Sequence, residues 1–143
     1  MSFMEKLNLA ALGGGVLALG WYLFRILPQI GTVPVDEIAW KWPMVIAMVI
    51  FVVLLVISAV RMAISDPSVR DENGVIDDER DRDIERRGDA WGGHAMHAVA
   101  FAALVLAMLD VHGFWIAQTL FVGGMLAGLA SIGVKILAYR GEG

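Results

Sequence analysis

Two histidines three residues apart, His94 and His97, are the first residues whose type and spacing suggest chemistry. On a helix such a pair shares a face, and neutral imidazoles so placed can ligate a metal, with nearby carboxylates completing the shell. The pair alone defines no coordination set, and the acids before it follow no ligand spacing. Histidines among water and lipid headgroups at a helix start are the simpler reading, so no metal and no cofactor is expected. Haem held by two histidines needs ligands facing each other from different helices. Here all three histidines flank one segment, with His112 at its opposite end, so only two copies of the chain could supply such a pair. The run Asp71–Gly74 looks like part of a calcium loop, but the register puts Val69 at the first ligand and Arg80 where the bidentate glutamate belongs. That run reads as a turn. The chain has no cysteine, which removes disulfides and thiolate chemistry. No nucleophile–base pair, phosphate-binding glycine loop or zinc-protease helix occurs, so the chain is read as a non-enzyme.

Charge is concentrated in one place. Residues 66–93 hold ten of the fifteen acidic side chains and five of the eleven basic ones, a net of −5 against −4 for the whole chain. Asp77, Asp78, Glu79, Arg80, Arg82, Arg86 and Arg87 form its densest block and are the candidate docking residues, since dense mixed charge favours selectivity and fast encounter. From Ile76 onward the pattern is helical. Asp78 with Arg82 and Asp83 with Arg87 are i,i+4 pairs in the favoured orientation, each contributing about 0.2–0.5 kcal/mol. This short helix either continues into the next apolar segment or lies on a membrane surface, and Gly88, Gly92 and Gly93 would permit a bend between the two.

Everything around this connector is apolar. The hydrophobic share is 58%, against roughly 45–50% in soluble domains, and the mean hydropathy is +0.68. A soluble domain of this size leaves too many residues at its boundary to hide that much hydrocarbon. Four segments read as membrane spans, at about 7–27, 43–64, 94–112 and 114–139. The first has 21 residues, enough for a core about 30 Å thick at roughly 1.5 Å per residue. It is also longer than the roughly 7–15 apolar residues of a signal core, so it is expected to be retained. Pro28 and Gly31 stop it, and Pro43 suits the first position of the second helix. Small residues at Ala10, Gly14 and Ala18, and at Gly124 and Gly128, mark close helix contacts. The second strip either closes the structure internally or joins two copies. The short link around Gly113 makes the last two segments antiparallel neighbours.

These elements define an all-α fold: an integral membrane four-helix bundle built as two helical hairpins joined by the charged connector. With both termini inside, nine basic residues lie on the cytoplasmic side and only Arg25 and Lys41 outside, as the positive-inside rule requires. The centres of the spans carry no charge, which disfavours charge-coupled transport, and there is no basic patch for nucleic acid.

The run Asp77–Gly88 leading into a membrane helix resembles a group of small four-span predicted membrane proteins of bacteria and archaea, of unassigned function. They share an Asp-Glu-Arg segment followed by an isoleucine ahead of the third span. The resemblance covers the connector, the third segment and the number of spans, and carries no catalytic residues. It implies a cytoplasmic membrane location. Similarity in plan to membrane proteins encoded beside small regulators implies a sensory or immunity-like role. The leading expectation is a non-enzymatic protein acting through contacts with a membrane or cytoplasmic partner or with its own copies, as an accessory subunit or part of a regulatory pair. The alternatives are a small oligomeric transporter or channel-like protein, including one exporting toxic compounds, and a metal or haem carrier using His94 and His97.

Overall fold

The computed structural model describes residues 3–65 and 79–141. These form four α-helices and two 3₁₀ turns, with no strand among the described residues: α1 (Phe3–Ile26), α2 (Lys41–Ser65), α3 (Glu79–Met108) and α4 (Gly113–Gly141), the turns being Leu27–Gln29 and Val35–Glu37. All four helices are long and apolar enough to cross a membrane.

Local chemistry sets the boundaries. Pro28 disfavours helical geometry at the residue before it, and α1 ends at Ile26. The chain then turns through Gly31, whose φ of +84° suits a residue without a Cβ. α2 starts at Lys41, two residues ahead of Pro43. The proline is harmless there, because the first hydrogen bond of the helix runs from Met44 N–H to Trp40 O and the preceding N–H groups have no intrahelical acceptor in any helix. α3 ends four residues before the sequence expectation. Asp110, at φ 52°, takes the left-handed position; its N–H reaches Ala107 O at 3.2 Å and that of Val111 reaches Leu106 O at 3.1 Å, the two bonds of a Schellman motif. Gly113, expected as a separator, is instead the first residue of α4.

The connector helix and the third apolar segment are one helix of 30 residues. The three glycines at 88, 92 and 93 lie inside it, and two of them act as contact points rather than bends.

The principal contacts are α3 with α4, α1 with α2, and α1 with α4. α1 and α4 are therefore the central pair, and α2 and α3 lie to the outside with most of their surfaces uncovered. The arrangement is open, not four-sided. On α1, Ala11, Gly15, Ala18, Tyr22 and Ile26 make a buried seam at the helical three- and four-residue repeat. Gly14 on the adjoining strip meets Leu54 and Phe51 of α2, and a Cβ on Gly15 would collide with Leu129 of α4. The main apolar core, built from Tyr22, Ile26, Ile38, Met44, Ala47, Phe114 and Phe121, sits at the loop end of the molecule.

Candidate functional site

At the opposite end, where the helices lead to the termini and to residues 66–78, three helices meet through polar groups. Lys135 of α4 is 7% exposed. Its Nζ lies 2.5 Å from Glu85 Oε2 and 2.8 Å from Asp89 Oδ1, both on α3. Asn8 of α1 donates from Nδ2 to the other Glu85 oxygen at 2.6 Å. Glu85 thus ties α1, α3 and α4 together. One turn along, Ser131 Oγ donates to the carbonyl of Gly88 at 2.7 Å.

The backbone spacing explains why a lysine can be buried here. Ala127, Ser131 and Lys135 recur every four residues on α4 and face Gly88 and Gly92 of α3. The Lys135 stem fills the volume a Gly88 side chain would take, and a Cβ on Gly92 would come within 2.9 Å of Ser131 Cβ. The glycines let α4 approach closely, so the aliphatic stem packs on bare backbone while the ammonium reaches two carboxylates. Clamped between these acids, Lys135 is an ammonium ion and not a nucleophilic amine. The site can hold α3 in one rotational setting. Glu85 faces inward and Asp89 sits at the rim, while Asp83, Arg82, Arg86 and Arg87 remain exposed. The Asp83–Arg87 pair forms at 2.6 Å with both side chains more than half exposed, so it adds little to stability.

Among the other residues singled out from sequence, His94 is exposed. His97 Nδ1 lies 2.7 Å from Gly93 O, so that nitrogen donates its proton to the helix backbone. No group of three or more His, Asp or Glu side chains capable of holding a metal occurs among the described residues. His112 is at the far end, where its Nδ1 accepts from Phe114 N–H at 3.2 Å and caps α4, while its Nε2 lies 2.7 Å from Asp36 Oδ1. Asp77, Asp78 and the turn at 71–74 lie outside the described residues; Glu79 and Arg80 are in the first turn of α3.

Of the small residues, Ala18 is fully buried and Ala10 half-buried. A Cβ on Gly124 would lie 3.6 Å from Met96, while Gly128 has open space where a side chain would be. The tighter α3–α4 contact is at the adjacent Gly123, where a Cβ would come within 2.8 Å of Val99. Sequence reasoning missed the Glu85–Lys135 pair. Its signal was the matched four-residue spacing of Gly88 and Gly92 on one helix and Ser131 and Lys135 on another.

No protein-family model matches the chain, nor does any curated protein or solved structure.

Proposed function

We propose that this chain is a non-enzymatic integral membrane protein of four spans that presents the charged start of α3 to a protein partner, as an accessory subunit or part of a regulatory pair. Its termini and connector face the cytoplasm in this reading. The four long apolar helices and the nine-to-two distribution of basic residues support the placement. The resemblance to small four-span membrane proteins agrees with it.

The observation that carries the docking role is the clamp on α3. A free charged hairpin would lose conformational entropy on binding, whereas a helix locked through Glu85 and Asp89 already has its outer face set. Arg82, Arg86 and Arg87 are exposed along that face, and arginine is the side chain suited to bidentate pairing with a partner's carboxylates.

The test is purification in gentle detergent from the native membrane, with mass spectrometry of the peak. A defined partner is expected to co-purify and to be released by Arg82→Glu with Arg86→Glu. A peak holding this chain alone would overturn the accessory role and leave small-molecule flux as the activity to assay.

A further inference from the structure

The loop end contains a cavity of about 510 Å³ that neither the ion cluster nor the docking face uses. Pockets for small molecules span about 300–1,000 Å³. Buried Ile38 and Phe114 line it together with Trp40 and Trp42, and Asp36, Lys41 and His112 are its polar members. Trp40 packs edge-on against Phe114 with ring centroids 6.2 Å apart, which holds the indole in place.

Two observations give the cavity a charge preference. First, the face of Trp40 already carries a cation: Lys41 Nζ stands 5.8 Å from the ring centroid, within the range where the ring quadrupole attracts an ammonium. Second, Asp36 brings a carboxylate to the cavity. His112 Nδ1 accepts from Phe114 N–H, and its Nε2, 2.7 Å from Asp36 Oδ1, directs its hydrogen at that carboxylate. An aromatic wall, a carboxylate and a lysine already occupying the ring face are the parts of a cation site with an internal competitor.

We propose that this cavity binds an organic ammonium ion, which replaces the Lys41 ammonium over Trp40 and pairs with Asp36. The same chemistry is offered by a free amine in solution and by the ammonium headgroup of a zwitterionic lipid.

The test uses the full chain in phosphatidylglycerol nanodiscs, titrated with tetramethylammonium in a calorimeter. Saturable binding is expected. Trp40→Leu should weaken it about threefold to thirtyfold, and Asp36→Asn, which keeps an acceptor for His112 but loses the charge, about threefold. Lys41→Gln should strengthen it by a similar factor, because the competitor is gone. Repeating the titration in phosphatidylcholine discs separates the sources. Loss of the tetramethylammonium signal there identifies the lipid headgroup as occupant, and its persistence identifies a free amine. Asp36 and Lys41 are exposed, so their variants stay decisive if Trp40→Leu misfolds. Absence of saturable binding in both wild type and Lys41→Gln, or equal affinity across wild type, Asp36→Asn and Lys41→Gln, would overturn the proposal.

Discussion

The two ends of the molecule hold their helices together by opposite means. At the loop end the contact is hydrocarbon and aromatic: Tyr22 meets Phe121 edge-on at 4.7 Å, Met44 and Ala47 of α2 join the same core, and Tyr22 Oη donates to Gln118 Oε1 at 2.7 Å. At the terminal end the contact is ionic, and bare glycine backbone takes the place of rings. The difference follows the connectivity. Short links join the helices of each hairpin at the loop end, so non-directional packing is enough to seat them. At the terminal end the hairpins are joined only through the long segment 66–78, and apolar faces there could rotate past one another. A Lys135 ammonium aimed at two carboxylates admits one rotational setting. Packing sets which helices touch; the ion cluster sets which face of α3 points out.

That contrast can be broken most severely at Lys135. Replacing it with Ala leaves Glu85, 19% exposed, without its main partner and should cost on the order of 3 kcal/mol, as breaking buried pairs does. Unfolding in mixed micelles would measure this, and the double change Lys135→Met with Glu85→Gln should recover much of the loss. Asp89, 70% exposed in its own pair with Lys135, should contribute less than about 1 kcal/mol when changed to Asn. An equal loss at Asp89 and Glu85 would mean that burial does not govern the cluster.

Glycine substitutions sharpen the same point. Gly88→Ala must displace the Lys135 stem and should cost about 2 kcal/mol by overpacking. Gly128→Ala meets open space and should gain up to about 1 kcal/mol of helix propensity. The opposite signs can be read in one set of melting curves.

At the loop end, Tyr22→Phe removes the hydrogen bond to the Gln118 amide, whose buried Nε2 has no acceptor among the described residues. The cost should be about 1–2 kcal/mol, and adding Gln118→Leu to the Tyr22→Phe variant should restore part of it. A modest effect is expected from His112→Ala. It removes the cap on α4 and the exposed contact to Asp36 for about 1 kcal/mol, visible as faster amide exchange at Phe114.

Much of this architecture was legible in the sequence, because it depends on composition and on strong local signals. Four apolar runs, Pro28, Gly31 and the short link around Gly113 were enough to place four helices and to pair the last two. The boundary of α3 was missed because the residue that closes it is an aspartate in the left-handed conformation, where glycine is the usual signal. The continuity of α3 was left open because glycines at 88, 92 and 93 read equally as hinge and as contact surface. Only a facing helix with Ser131 and Lys135 in register decides between these. The ion cluster was hidden for a related reason: Glu85 and Lys135 are separated by 50 residues, and each alone looks like an ordinary charge near a helix end.

That separation also has a consequence during synthesis. Glu85 and Asp89 leave the ribosome well before Lys135 is made, so while α4 is still being translated α3 has no Lys135 ammonium to fix its rotation. The outward arginine face becomes a defined surface only after α4 has folded back alongside.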